Sequence, residues 1–174
     1  MNRQYVEKYD TIWVKPGKLK GKTEAPSSKS MAQRAAACAL FTSGTVILKN
    51  YSYCDDCLAA LDVIEQLGAA VDKEKDYIRI TAPERIIPKR IFCGESGLCS
   101  RMFIPIVSNC HEELEISGRG SLLKRPFGQL IAPLEQLGVK ISSNNGFLPV
   151  KVKGPFQKFE IEIDGSQSSQ LITG

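Results

Sequence analysis

Histidine is almost missing from this chain: His111 is the only one in 174 residues. It follows an apolar run and stands beside Glu112 and Glu113, a solvated setting, so Ser-His-Asp and Cys-His nucleophile chemistry have little support. Long apolar stretches are missing too. No run approaches the ~20 residues that a membrane-crossing helix requires. The opening residues, 1–10, carry no hydrophobic stretch of the secretory type, which makes the cytoplasm the expected compartment. Nor is charge of one sign massed anywhere. Twenty-three Lys and Arg against nineteen Asp and Glu leave a net charge of +4, spread along the chain, and seven Phe and five Tyr show no stacking-platform spacing. That pattern argues against nucleic acid and suits small anionic ligands.

The six cysteines, at 38, 54, 57, 93, 99 and 110, lack the spacing of a secreted disulfide framework. Cys54-Asp55-Asp56-Cys57 has no second ligand pair at zinc spacing. It reads more simply as a helix start whose acidic residues face the helix dipole, so neither a metal nor a cofactor is expected. Cys38 and Cys110 fall in apolar helical stretches and are expected to be small core residues.

What the chain does contain is cations at helix starts. In Ala25-Pro26-Ser27-Ser28-Lys29-Ser30-Met31-Ala32-Gln33-Arg34-Ala35-Ala36-Ala37, proline and serines precede an alanine-rich, strongly helix-forming run. A lysine, hydroxyls and an arginine are gathered where free backbone N–H groups and a positive partial charge already favour a phosphate or carboxylate. Gly94-Glu95-Ser96-Gly97-Leu98-Cys99-Ser100-Arg101 repeats the device before a second apolar run. The step from Ser30 to Arg34 equals that from Gly97 to Arg101, and Gly94 and Gly97 permit close backbone approach and positive φ. A third basic stretch, Gly118 to Gly128, places Arg119, Lys124 and Arg125 in a glycine-rich turn. There Pro126 is expected at the first helical position, holding Arg125 at the helix mouth.

The repetition extends beyond these loops. Glu65-Gln66-Leu67-Gly68 recurs as Glu135-Gln136-Leu137-Gly138, an offset of 70 residues. The two glycines are placed as helix stops, and Asn144-Asn145-Gly146 as a hairpin turn. Strands are expected near 45–49, 77–81, 113–117 and 149–153. Each unit therefore reads helix, strand, helix, strand, strand, with one more strand leading in, an α/β module used twice. A third copy is expected to begin with an alternating strand over 159–165 and a helix start over 166–174. The expectation is that the chain breaks off inside that third module.

Taken together, Pro26-Ser27-Ser28-Lys29-Ser30 with Arg34, Gly94-Glu95-Ser96-Gly97 with Arg101, Arg125-Pro126-Phe127-Gly128 and Asp164-Gly165-Ser166-Gln167-Ser168-Ser169-Gln170 resemble the enolpyruvyl transferase family. The resemblance runs from about Thr23 to the last residue. It implies an α/β fold of repeated βαβαββ units, the inside-out α/β barrel, with about two and a fraction units present. By the same resemblance, residues 1–20 would be an N-terminal segment belonging to a second domain, and 21–174 a partial N-terminal domain truncated in its third repeat.

The activity it implies is transfer of the enolpyruvyl group of phosphoenolpyruvate to the 5-hydroxyl of shikimate 3-phosphate, releasing phosphate, a step of aromatic amino acid biosynthesis by a cytoplasmic, monomeric enzyme. Residue by residue, it implies that Lys29 contacts both substrates and is catalytic, and that Ser30 and Arg34 hold the shikimate moiety. Ser168 and Ser169 would take the shikimate phosphate, and Gln170 would lie between the ligands. Gly97 and Arg125 would clamp phosphoenolpyruvate. Glu95 and Leu98 depart from the family's usual Asn and Thr, and the proton-transfer groups lie outside these residues, so the 174 residues alone are expected to be inactive. Two other readings stay open: the sibling transferase acting on UDP-N-acetylglucosamine, and a phosphometabolite-binding module without chemistry.

Overall fold

The computed structural model describes residues 13–86, 90–166, 168–170 and 172–174. Two units of the same design follow one another. The first comprises α1 (Lys29–Ala39), β1 (Thr45–Lys49), α2 (Asp55–Gln66), β2 (Ala70–Lys73) and β3 (Tyr77–Thr81). The second comprises β4 (Arg90–Phe92), α3 (Gly97–Val107), β5 (Leu114–Ser117), a 3-10 turn (Gly120–Lys124), α4 (Gly128–Gln136), β6 (Lys140–Asn144) and β7 (Phe147–Lys153). The second unit is thus a full βαβαββ module. Residues 13–28 form no strand, so among the described residues the expected lead-in strand is present only as β4.

Each unit builds its own sheet. The first has the order β1-β3-β2, antiparallel throughout; the second has β4-β5-β7-β6, with β4 and β5 parallel. Equivalent strands occupy equivalent places, β5-β7-β6 matching β1-β3-β2. The period of two in the side chains decides which face is buried. Leu148, Val150 and Val152 of β7 point inward while Pro149, Lys151 and Lys153 face water, and Ile78 and Ile80 do the same inward duty in β3.

Helices cover the inner faces. Leu61, Val63 and Ile64 of α2 and Phe103 and Ile104 of α3 have no exposed surface, and burying side chains of this size is worth about 1.5–3 kcal/mol each. Along α1 the small residues Ala32, Ala36, Ala37 and Ala39 form the buried face. Cys38 lies off that face and is exposed, and Cys110 follows the end of α3 half-buried, so neither is the core residue that the apolar context suggests.

The turn chemistry works as the sequence indicates. Gly68 (φ +99°) and Gly138 (φ +88°) end α2 and α4 in the left-handed conformation. The amide of Ala69 bonds the carbonyl of Ile64, and that of Val139 bonds Leu134, the same closing contact in both units. Asn145 and Gly146 both have positive φ, joining β6 to β7 by a tight hairpin.

The carboxy-terminal expectation is corrected. Residues 159–165 are not a strand and no helix begins after Gly165 among the described residues. The alternation survives as burial, Ile161 and Ile163 being half-buried and Glu162 and Asp164 exposed, but a strand needs a neighbour to receive its ladder, and no described strand pairs with this segment. Of the segment expected to belong elsewhere, residues 1–12 lie outside the described residues, and 13–20 are exposed without regular structure. Among the described residues no helix is long and apolar enough to cross a membrane.

Gly138→Ala is expected to destabilise the protein by about 1–3 kcal/mol, because a Cβ there would be strained and would meet Gln157 at 2.9 Å. Gly128→Ala, with nothing within 4 Å, should shift stability by less than about 0.5 kcal/mol. Urea midpoints that coincide for the two variants would refute the cap assignment.

Candidate functional site

Two helix mouths lie side by side. Ser28 caps α1, its hydroxyl accepting from the Met31 amide at 3.3 Å, so Lys29 and Ser30 are the first two helical residues. Ser96 caps α3 in the same way through the Cys99 amide at 3.3 Å, and Gly97 is the first helical residue. The unmatched N–H groups of both first turns are therefore presented together.

The link between them is Gln33, which has no exposed surface. Its Oε1 accepts from the Ser96 hydroxyl at 2.9 Å and its Nε2 reaches the Lys29 carbonyl at 3.5 Å. One side chain thus connects the first residue of α1 to the cap of α3. Sequence reasoning passed over Gln33. The available signal is a lone amide in an alanine-rich run, at a position in phase with the buried residues Ala32, Ala36 and Ala37, because a buried polar group is the informative exception in a core.

The cations are held in three different ways. Lys29 Nζ lies 2.6 Å from Asp56 Oδ2 at the start of α2. That hydrogen bond and the carboxylate's charge hold its ammonium pKa above the ordinary 10.5. The Lys29 side chain is 56% exposed, so the pair stabilises by no more than about 1 kcal/mol. With the folded pKa raised, that contribution is present at neutral pH and is lost as the pH rises through the raised value.

Arg101 curls back onto the Gly97 carbonyl at 3.3 Å, donates to the Pro126 carbonyl at 3.0 Å and lies 4.8 Å over the Phe127 ring. Burial, and then the like charge of Arg125, lower its pKa. Arg125 closes the 3-10 turn and folds over Gly97. A Cβ on Gly97 would fall 2.5 Å from Arg125 Nη1 and 3.1 Å from Arg101 Nη1. Two guanidiniums therefore converge on one glycine at a helix start. The expectation for Pro126 is corrected: α4 begins at Gly128 with Phe127 as its cap, and Arg125 belongs to the 3-10 turn before it. Leu122, fully buried, pulls that turn into a helical coil that the sequence presents as a glycine-rich loop.

Arg34 and Arg101 share the four-residue step but not the register. Each donates to the carbonyl four residues back, at 3.3 Å, yet Arg34 is the sixth helical residue and Arg101 the fifth. One residue is about 100° of helix, so Arg34 points elsewhere. It donates to the Thr173 hydroxyl at 3.1 Å, and Thr173 in turn donates to the Ser169 carbonyl at 3.2 Å. This chain of contacts ties the carboxy-terminal segment to α1. Within the segment Ser168 accepts from the Gln170 amide at 3.2 Å; the serines do not open a helix there. Beside them, a mostly apolar cavity of about 370 Å³ lies between α1 and α3, lined by Phe41, Met102, Pro105 and Phe156 with Arg34 and Thr173 at its wall.

Glu95, which departs from the family's usual Asn, is turned to the 3-10 turn. Its Oε2 accepts from the Ser121 amide at 3.1 Å. It also lines a hollow of about 580 Å³ with Asp55, Asp56, Asp62 and Arg119. Cys54 caps α2 without a side-chain bond, with Asp55 and Asp56 in the first turn, as the helix-start reading expects.

Paired α/β modules with cations at their helix starts are the architecture that the enolpyruvyl transferase resemblance implies. The comparisons agree. A family profile described as EPSP synthase (3-phosphoshikimate 1-carboxyvinyltransferase) matches residues 14–174, and the chain belongs to that family. Among similar curated proteins, the 3-phosphoshikimate 1-carboxyvinyltransferase of Clostridium beijerinckii is 36% identical over 170 residues, covering 92% of this chain and 39% of that protein. The one from Clostridium perfringens is 34% identical over 167 residues, covering 94% and 39%. The chain thus spans about two fifths of the length of these relatives. The solved EPSP synthase of Acinetobacter baumannii superposes with a TM-score of 0.79 at 25% identity, over 88% of this chain and 36% of that one.

Two measurements test this geometry. A double-mutant cycle of Gln33→Ala and Ser96→Ala should give a coupling energy of about 0.5–1.5 kcal/mol in denaturant unfolding; additive effects would show that the two mouths are not joined through this bond. Asp56→Asn should return the Lys29 pKa downward toward 10.5, read from the alkaline end of its amine-labelling profile. An unshifted profile would mean that the carboxylate does not hold the ammonium.

Proposed function

We propose that this chain supplies one wall of an enolpyruvyl transferase site, in an enzyme that moves the enolpyruvyl group of phosphoenolpyruvate to the 5-hydroxyl of shikimate 3-phosphate. The observation that carries the proposal is the convergence of Arg125 and Arg101 on Gly97 at the mouth of α3. The names of the relatives reported above, 3-phosphoshikimate 1-carboxyvinyltransferases, favour this acceptor over a UDP-sugar.

Physically, the reaction brings two multiply charged anions into contact. A bond forms between the acceptor hydroxyl oxygen and C2 of the enolpyruvyl group, and the C2–O bond to phosphate breaks. The hydroxyl proton must leave, and the departing phosphate keeps the bonding pair. Cations and amides fixed before the ligands arrive offset the repulsion and hold the reacting atoms close. In this reading Arg125 and the Gly97 amide clamp phosphoenolpyruvate, the guanidinium fork suiting phosphate or carboxylate. Lys29 bridges the two substrates once an arriving anion displaces it from Asp56. Ser30 and Arg34 hold the shikimate ring, Ser168 and Ser169 its phosphate, and Gln170 the space between. Residues 21–174 act as one anion-binding body. The groups that move protons belong to the rest of the family's length, so these 174 residues by themselves bind without turnover.

Calorimetric titration with phosphoenolpyruvate, shikimate 3-phosphate and UDP-N-acetylglucosamine checks the proposal. Lys29→Ala and Arg125→Ala should each weaken phosphoenolpyruvate binding by about 1.5–3 kcal/mol, the worth of a charged hydrogen bond, or roughly 10- to 150-fold. Unchanged affinity in both variants, or preference for the UDP-sugar, would overturn it.

A further inference from the structure

Arg125 and Arg101 carry the same charge and meet over one glycine, and like charges this close repel. Something must hold the Arg125 segment down. The turn Gly94-Glu95 runs beneath the segment from Gly118 to Arg125 and grips it in several places. The Cys93 amide bonds the Ser117 carbonyl at 2.9 Å, and the Arg119 amide bonds the Gly94 carbonyl at 2.8 Å. The Glu95 carboxylate accepts from the Ser121 amide at 3.1 Å. Gly118 has no room for a Cβ against the Gly94 carbonyl and Leu122. Gly120 is left-handed (φ +57°), and the space a Cβ would take there is filled by the Glu95 carboxylate. The two segments are therefore clasped at both ends, by Glu95 on Ser121 and by Arg125 on Gly97.

We infer that Glu95 is a positioning residue for Arg125: its carboxylate caps the 3-10 turn Gly120–Lys124 and so fixes the guanidinium over Gly97 before the anion binds. This role rests on the site reading given above. It also reverses the sign that simple electrostatics assigns. A carboxylate two residues from an anion seat should weaken anion binding, and its removal should strengthen it. As a cap of an amide that opens a helical turn, a carboxylate makes a charge-assisted bond, and its removal releases the segment that carries the main cation.

Glu95→Ala and Glu95→Gln separate the two effects because they lose the same charge, while only glutamine keeps an oxygen for the Ser121 amide. On the intact protein, titrated with phosphoenolpyruvate, Glu95→Gln should bind as tightly as the native protein or tighter. Glu95→Ala should bind at least about fivefold more weakly than Glu95→Gln. The Ser121 amide proton resonance should move upfield in Glu95→Ala and stay near its native position in Glu95→Gln, a signature that general destabilisation does not mimic. If Glu95→Ala does not fold, Glu95→Asp replaces it: it keeps the charge but stops one methylene short of Ser121, and it should bind phosphoenolpyruvate at least about fivefold more weakly than the native protein. Equal affinity for the alanine and glutamine variants, or tighter binding by alanine, would overturn the role of Glu95. Arg125→Ala in the same titration keeps the two ideas apart. Native affinity there would mean that the site itself is misplaced, whereas lost affinity there with native affinity in Glu95→Ala would remove only the Glu95 proposal.

Discussion

The buried bond between Gln33 and Ser96 is the contact on which the arrangement of the site depends. Helices α1 and α3 come from different units, separated in sequence by a complete sheet, and their apolar faces would tolerate some sliding. A hydrogen bond between two side chains without exposed surface tolerates very little, because breaking it strands both partners away from water. Since Gln33 also reaches the Lys29 carbonyl, and Ser96 immediately precedes Gly97, one polar contact sets the spacing between the two helix mouths.

Around that fixed spacing the protein manages an excess of positive charge. Lys29 and Arg101 each have an internal partner, and the partners differ in strength. Lys29 has a full carboxylate in Asp56. Arg101 has carbonyl oxygens and an aromatic ring, neutral partners that hold its direction without cancelling its charge. Arg125 lies over the buried Gly97 beside the like charge of Arg101, a combination that leaves it the group with most to gain from an arriving anion. Acidic residues are close by but are committed elsewhere, Glu95 to the Ser121 amide and Asp56 to Lys29.

Much of the architecture is readable from local chemistry. Hydroxyl caps at Ser28 and Ser96, left-handed glycines at 68 and 138 and the Asn145-Gly146 turn act within a few residues of themselves, so their outcome is nearly independent of the rest of the chain. The internal repeat adds the pairing, since two copies of one module must bury the same strand faces. Reading fails where the outcome depends on a distant partner. The 159–165 segment has a strand's alternation without a neighbour to pair with among the described residues. Cys38 sits in an apolar run but on the wrong side of α1. The 3-10 turn before α4 forms because Leu122 finds a buried slot, not because Gly-Ser-Leu-Leu-Lys favours it.

The amino-acid sequence by itself determined where α1, α2 and α3 start, which residues there are cationic, and that the module occurs twice, because caps, charges and periodicity are properties of neighbouring residues. Only the tertiary structure decided which cations meet. Arg34 and Arg101 share a spacing yet differ by one helical position, and that rotation sends one to Thr173 and the other to Phe127. Arg125 reaches Gly97 across 28 residues of chain, and Glu95 turns to Ser121, through packing between segments that local sequence does not bring together. Direction in space is settled by the whole fold, since a side chain's reach is short and its target comes from elsewhere in the chain.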